Sequence, residues 1–230
     1  MDKERENDSD RRRLLTGLGL ATAGTVVAAG SVGMAQEGEQ ARNSMRYPLD
    51  AWLDRPEAYH RVFIDASRPL GAIEGLQYAN NMLGAHVRNY GGKESDFSLV
   101  VCFRRFSTPL GWGSEVWSKY GKILDRVLEY PDPVTGEAFL ANPVMVDRAD
   151  LPNRGNTVVS LGGRGVRFAV CDAATRVISG VLARATDGDA DAIYEELVVS
   201  LVPNARFVPA GVLTVTRAQE YGYSLLTAGL

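Results

Sequence analysis

The sequence predicts an α/β domain in which helices cover both faces of a mainly parallel β-sheet. Short runs of β-prone apolar residues alternate with longer segments whose apolar residues recur every three or four positions, as in amphipathic helices. Glycine and proline residues separate the segments. The predicted strands are residues 60–66, 97–103, 166–170, 205–208 and 222–226, and the predicted helices are residues 70–90, 114–130, 172–185, 190–201 and 212–221.

The first two strand–helix units show this pattern most clearly. In residues 60–66 an apolar trio is bounded by polar residues, and Pro69 follows in the turn. Residues 70–90 have the helical spacing, and two glycines end them. Residues 97–103 repeat the strand pattern and residues 114–130 the helical pattern. Two consecutive units of this kind favour a parallel sheet.

Cys171 stands where the third predicted strand gives way to a helix. Residues 166–170 alternate β-prone apolar side chains after a glycine-rich turn, and Asp172 is a favourable N-cap for the helix that follows. In open α/β sheets, ligands and chemistry gather at the carboxyl ends of the strands. Cys171 is therefore the first candidate for a functional residue.

Two connecting segments differ from ordinary loops. Residues 131–156 contain four prolines and exceed the usual length of a connector, so we expect an insertion. The sequence Asp-Gly-Asp-Ala-Asp at residues 187–191 is superficially similar to a calcium-binding loop. It lacks the glycine at the sixth position and the glutamate at the twelfth, so a turn capping the helix of residues 190–201 is favoured.

The composition excludes several classes of function. A chain of 230 residues with 45% hydrophobic residues can form one domain with a sizeable core. Its net charge is −3 and its Lys and Arg residues are scattered, so nucleic acid is not an expected partner. The two histidines and two cysteines lack metal-ligand spacing, so no metal is expected. Residues 65–71 contain neither a dinucleotide fingerprint nor a P-loop, so we expect no cofactor.

Residues 1–35 are organised like an export signal. Arginines at positions 11–13 precede two leucines, and residues 14–34 are moderately apolar and rich in Gly, Ala and Thr. This order resembles a twin-arginine (Tat) signal peptide, with cleavage after Ala35. An uncleaved membrane anchor is the alternative, since about 20 apolar residues span a bilayer. The glycines in the run disfavour the anchor.

The resemblance to a Tat signal has consequences for domain organisation. It implies export by the Tat translocon, a periplasmic or extracytoplasmic location, and no stable membrane insertion after cleavage. Residues 36–58 are predicted to form a linker, with no packed structure before about Tyr59. Residues 59–230 form the predicted domain, with residues 131–156 as its insertion.

Three short blocks in the carboxyl-terminal third carry a further resemblance. Residues 165–171 read Gly-Val-Arg-Phe-Ala-Val-Cys, residues 208–212 read Val-Pro-Ala-Gly-Val, and residues 219–223 read Gln-Glu-Tyr-Gly-Tyr. Their order and spacing resemble the DsrE/DsrF-like (DsrEFH-like) family of small sulfur-relay proteins. The resemblance covers roughly residues 59–226 and is weakest across residues 131–156.

This resemblance implies a three-layer α/β/α sandwich with a five-stranded parallel sheet, and a homo-oligomer that is often a trimer or hexamer. In sulfur-relay members the cysteine that matches Cys171 accepts sulfur as a persulfide and passes it on, so sulfur donor and acceptor proteins are implied partners. Cys171, Ala173, Ala174 and Arg176 resemble the sulfur-carrying stretch of those members.

The residues themselves also argue for a reactive Cys171. A thiol at a helix N-terminus meets the positive end of the helix dipole, which favours the thiolate. Arg176 adds positive charge in the next turn, whereas the carboxylate of Asp172 opposes ionisation. The alternative is a buried structural cysteine that acts as a small hydrophobe.

Other candidate residues have two interpretations each. Arg104, Arg105 and Trp112 follow the second strand, so they either hold an anionic sulfur species beside Cys171 or form a solvated loop. Cys102 is expected in the core, although an oxidising compartment would permit its disulfide with Cys171.

His60 begins a strand and His86 lies on a helix, and both are expected to serve packing or the surface rather than catalysis. Three functions remain open. They are a sulfurtransferase-like persulfide carrier, a non-catalytic oligomeric periplasmic module that binds a ligand or protein, and a redox protein that cycles a disulfide.

Overall fold

The computed structural model describes residues 46–229, which form five parallel strands and the helices around them. The predicted signal and the first part of the predicted linker, residues 36–45, lie outside the described residues. The strands are β1 His60–Ala66, β2 Phe97–Phe103, β3 Arg167–Cys171, β4 Ala205–Val208 and β5 Ser224–Ala228. In the sheet they lie in the order β4-β3-β2-β1-β5, and every neighbouring pair is parallel.

Within residues 46–229, six α-helices and three 3-10 helices precede or connect the strands. The α-helices are α1 Pro69–Tyr90, α2 Ser114–Leu128, α3 Val158–Gly162, α4 Asp172–Thr186, α5 Ala190–Val199 and α6 Gly211–Glu220. The 3-10 helices are Pro48–Leu53, Glu94–Asp96 and Arg105–Gly111. Among residues 46–229, no helix combines the length and hydropathy needed to cross a bilayer.

The sheet separates two hydrophobic cores, because successive strand residues point to opposite faces. The larger core joins one face to α1, α2, α3, α4 and α5. The smaller core joins the other face to α6 and to the first 3-10 helix, and it contains Leu53, Phe63, Val100, Cys102, Ala169, Val208, Ala218, Tyr221 and Tyr223. Helices therefore cover both faces, and the predicted three-layer α/β sandwich is confirmed.

The segment before Tyr59 differs from the expectation of an unpacked linker. It forms the 3-10 helix Pro48–Leu53, whose Leu53 side chain is fully buried in the smaller core. The guanidinium of Arg167 donates a hydrogen bond to the carbonyl of Trp52 and packs over its ring. Burial of one leucine beneath a sheet face produces no sequence periodicity, so the prediction of a linker was wrong here.

Three connecting segments have local structure of their own. Residues 104–113, between β2 and α2, contain the 3-10 helix Arg105–Gly111. Residues 157–163 contain α3, whose capping box joins Thr157 to Ser160. Residues 131–156, the predicted insertion, consist of turns and irregular segments and contain neither helix nor strand.

Candidate functional site

Cys171 is the last residue of β3, at the carboxyl edge of the sheet. Its Cα pairs with that of Val208, and it follows Ala169 on the same strand face, so its side chain points towards the smaller core. Helix α4 begins at the next residue, which makes Cys171 the N-cap and Asp172 the first helical residue. The prediction of Asp172 as the N-cap was therefore wrong by one position. Cys171 is only 6% exposed.

A second helix also begins at the sulfur of Cys171. The backbone N–H of Gly211, the first residue of α6, donates a hydrogen bond to Sγ of Cys171 over 3.3 Å. The thiol thus lies at the N-termini of both α4 and α6. Backbone donors and the positive ends of helix dipoles stabilise a thiolate more than a thiol.

Glycine at position 211 permits this approach. A Cβ placed there would lie 2.6 Å from Cβ of Arg104 and 3.2 Å from Sγ of Cys102. The sequence contained this glycine within the block 208–212, but nothing local to that block indicated which atoms it faces. Its contact with Cys171 arises only when β4 pairs with β3.

Two hydrogen bonds hold the backbone around Cys171. The hydroxyl of Thr175 donates to the carbonyl oxygen of Cys171 over 2.9 Å. The amide of Ala173 donates to the carbonyl oxygen of Pro209 over 3.2 Å, which ties the first turn of α4 to the β4–α6 connection. Both elements that contribute an N-terminus are therefore fixed relative to the sulfur.

Arg104 belongs to a partly buried ion pair. Its Nε and Nη2 donate to the two carboxylate oxygens of Asp65 over 2.6 and 2.7 Å. Hydrogen bonding to Asp65 raises the pKa of the Arg104 guanidinium. Arg104 lies on the same side of the sheet as Cys171, but its charge is already matched by Asp65, a residue that the sequence did not indicate.

Cys102 is held as a neutral thiol. It is fully buried in the smaller core, and its Cα pairs with that of Asp65 on β1. Burial, and then the negative charge of Asp65, raise the pKa of Cys102 well above its usual value, against the opposing charge of Arg104. Because the thiolate is the nucleophilic form, this raised pKa disfavours reaction at Cys102.

Strand geometry disfavours a disulfide between the two cysteines. Cys102 pairs with Ala169, so Cys171 is its diagonal neighbour, two residues further along β3. A rise of about 3.3 Å per residue and a strand spacing of about 4.8 Å place such Cα atoms about 8 Å apart. Disulfides need Cα separations below about 7 Å. Both cysteines are free in the structure, and pairing them requires backbone movement.

The other predicted ligand residues do not gather at Cys171. Trp112 is fully buried in the larger core, where its backbone bridges to Leu201, so its ring is not available to a ligand. Arg176 donates to Asp172 over 3.2 Å and to the hydroxyl of Tyr194 over 2.9 Å, which uses its charge within the α4–α5 surface.

Arg105 is exposed, with its guanidinium 4.7 Å from the ring centroid of Phe106. His60 and His86 lie near the opposite edge of the sheet, where β1 and β2 begin. There the imidazole Nε2 of His86 lies 3.0 Å from the carboxylate of Asp96. In the described part of the chain, no group of three His, Cys, Asp or Glu residues is arranged to hold a metal ion.

Fold and site together define a class of protein. It is a three-layer α/β protein with a nearly buried thiol, held between two helix N-termini at the carboxyl edge of a parallel sheet. No protein-family model matches the chain, and no curated protein matches it. Its function must therefore be argued from the geometry around Cys171.

Proposed function

We propose that this protein is an exported DsrE-like sulfur carrier in which Cys171 accepts sulfane sulfur as a persulfide. The observation that carries the proposal is the hydrogen bond from the Gly211 N–H to Sγ of Cys171. This N–H can also donate to the thiolate, which is the form that attacks sulfur. The three sequence blocks similar to the DsrE/DsrF-like family support the same chemistry.

The transfer step is a displacement at sulfur. The Cys171 thiolate attacks the terminal sulfane sulfur of a donor persulfide or inorganic polysulfide, and a new S–S bond forms at Sγ. The bond between that sulfur and the donor breaks, and its electron pair leaves on the donor's sulfur. The proton lost from Cys171 protonates the departing sulfur species or passes to water. No external oxidant or reductant is needed, and attack by an acceptor thiolate on the Cys171 persulfide passes the sulfur on.

The surroundings of the two cysteines favour a single site per chain, Cys171, for uptake of sulfane sulfur. Cys102 remains protonated because burial and Asp65 raise its pKa, so it does not compete for sulfane sulfur. Since Cys171 is only 6% exposed, the donor's sulfur must project beyond the rest of the donor to reach the thiol. A slender terminal persulfide meets that requirement better than a sulfur atom flanked by bulky groups.

The test is mass spectrometry of the full chain after incubation with inorganic polysulfide. We expect the mass to increase by one sulfur atom, mapped to the Cys171 peptide, in the wild type and in Cys102→Ser. The Cys171→Ser variant should gain none. Sulfur carried on Cys102 instead, or an equal gain in Cys171→Ser, would refute the proposal.

A non-catalytic oligomeric module that binds a ligand or protein in the periplasm is the second candidate. The low exposure of Cys171 favours it, because a structural cysteine is normally buried. Alkylation of the native protein with iodoacetamide separates the two. If the protein is a persulfide carrier, Cys171 reacts with iodoacetamide before the protein unfolds. If Cys171 is structural, neither cysteine reacts in the native protein, and Cys171→Ser leaves binding and assembly intact.

Export and assembly are part of the proposal and rest on sequence resemblance. Replacing Arg11 and Arg12 with lysine in the full chain should abolish export of a folded reporter through the twin-arginine route. Light scattering of the mature protein should give the mass of a trimer or hexamer. A monomer would remove the oligomeric part of the proposal and leave the chemistry of Cys171 untouched.

A further inference from the structure

A groove separates the end of α2 from the exposed side of α4, and we name it the α2–α4 groove. Its volume is about 390 Å³, within the range of roughly 300–1,000 Å³ of small-molecule sites. It is lined by Arg105, Phe106, Arg126, Val127, Glu129, Ala174, Val177, Ile178 and Val181.

The α4 side of the groove is an apolar stripe. Ala174, Val177, Ile178 and Val181 follow the spacing i, i+3, i+4 and i+7, which places them on one helix face. Such a stripe normally packs against another element, yet the Val177 side chain is 67% exposed. An apolar chain lying along this stripe would remove that surface from water.

Arginine side chains that form no ion pair with a described carboxylate lie around the other side of the groove. Within residues 46–229, Arg105 and Arg126 form no ion pair, and neither does Arg68. The guanidinium groups of Arg105 and Arg68 lie 4.7 and 5.9 Å from the ring centroid of Phe106. The lining of the groove contains two of these cations, Arg105 and Arg126, and one carboxylate, that of Glu129, so its net formal charge is positive.

The backbone at Arg105 supports a binding role. Its φ of 56° lies in the left-handed region that favours glycine. Arg105 lies two residues beyond the end of β2, at the edge of the sheet where α/β proteins bind ligands. Residues held in this conformation are frequent at ligand sites.

We propose that the α2–α4 groove binds a single-chain amphiphile of the fatty-acid class. The carboxylate is held by Arg105 and Arg126, whose planar guanidinium groups match a carboxylate's two oxygens. The alkyl chain lies along Ala174, Val177 and Val181, since Ile178 is only 4% exposed and packs in the larger core. This site is independent of the sulfur chemistry of Cys171.

The first experiment titrates the full chain with dodecanoate below its micelle concentration, by calorimetry and by the NMR shift of a ¹³C-labelled carboxylate. We expect saturable binding of one dodecanoate per chain, with dodecanol binding at least about tenfold more weakly because it lacks the charge. Arg105→Gln and Arg126→Gln should each raise the Kd for dodecanoate about tenfold. Arg184→Gln, which removes an exposed arginine from the last turn of α4, is the matched control and should change nothing.

The second experiment locates the alkyl chain. Val177→Asp should weaken both dodecanoate and dodecanol, whereas Val199→Asp, at a valine that is 82% exposed on α5, should affect neither. Equal affinity for the acid and the alcohol, or unchanged affinity in both arginine variants, would overturn the proposal. So would a wild-type dimer that fails to bind dodecanoate and that Val177→Asp dissociates, because a second copy would then cover the groove.

Discussion

The amide of Gly211 donates to Sγ of Cys171 over 3.3 Å, and this bond joins the first residue of α6 to the last residue of β3. The two residues are 40 positions apart in the chain and meet because β4 pairs in parallel with β3. The hydrogen bond to the thiol therefore depends on where α6 begins. Changes at this contact should alter both stability and reactivity.

Gly211→Ala should destabilise the protein by about 1–3 kcal/mol, the usual cost of overpacking. The added Cβ would lie 2.6 Å from Cβ of Arg104, and relief of that clash moves the N–H away from Cys171. Urea unfolding and the rate of polysulfide loading measure the two effects.

The control is Gly180→Ala on α4, where the nearest atom to the new Cβ is Nη1 of Arg184 at 3.5 Å. It should stabilise by up to about 1 kcal/mol. The same sign for both variants would contradict the packing at Gly211.

Asp65→Asn should destabilise by about 2 kcal/mol, because it leaves the partly buried guanidinium of Arg104 without its charged acceptor. In a double-mutant cycle, Asp65→Asn combined with Arg104→Gln should cost less than the sum of the single changes. Arg176→Gln is the control, since that exposed side chain pairs with Asp172 at the surface and should cost little. Strict additivity at Asp65 and Arg104 would show that their pair contributes no coupling.

Stability should fall as the pH rises above about 8.5, the usual pKa of a cysteine in an unfolded chain. The folded-state pKa of Cys102 is raised well above its usual value, chiefly by burial, so above that pH the unfolded state has lost a proton that the folded state keeps. The free energy of unfolding then declines by at most about 1.4 kcal/mol per pH unit.

The measurement is urea unfolding between pH 7.5 and 9.5 in a Cys171→Ser background, so that Cys102 is the sole thiol that titrates. The pKa values of Tyr120 and Tyr130 are also raised, but from the ordinary tyrosine value of about 10. Both tyrosines therefore titrate above this pH window. Adding Cys102→Ala should flatten the dependence on pH. An unchanged slope would show that Cys102 is not its source.

In the insertion, Asp132 should stabilise the fold above about pH 4 and lose that effect in acid. Arg148 donates hydrogen bonds to its carboxylate and lowers the pKa of Asp132 to about 2. The stabilisation is therefore present above the unfolded-state pKa and disappears as the pH falls through about 2.

Asp132→Asn should remove about 1 kcal/mol at pH 6, after allowance for solvent screening, and much less at pH 2.5. Unfolding of both proteins at the two pH values gives the difference directly. Glu195→Gln, at an exposed carboxylate on α5, should show little change at either pH. A loss of equal size at both pH values would mean that Asp132 acts through packing rather than charge.

The sequence by itself predicted the five strands, five of the six α-helices and the place of Cys171 at the end of the third strand. These features follow from apolar periodicity and from turn residues, which act over a few neighbouring positions. Tertiary structure alone decided what surrounds the thiol. The order β4-β3-β2-β1-β5 brings Gly211 to Cys171, pairs Asp65 with Arg104 across two strands and turns Trp112 into the larger core. Such partners depend on which strands lie side by side, a long-range choice driven by burial of whole faces, and local periodicity does not specify it.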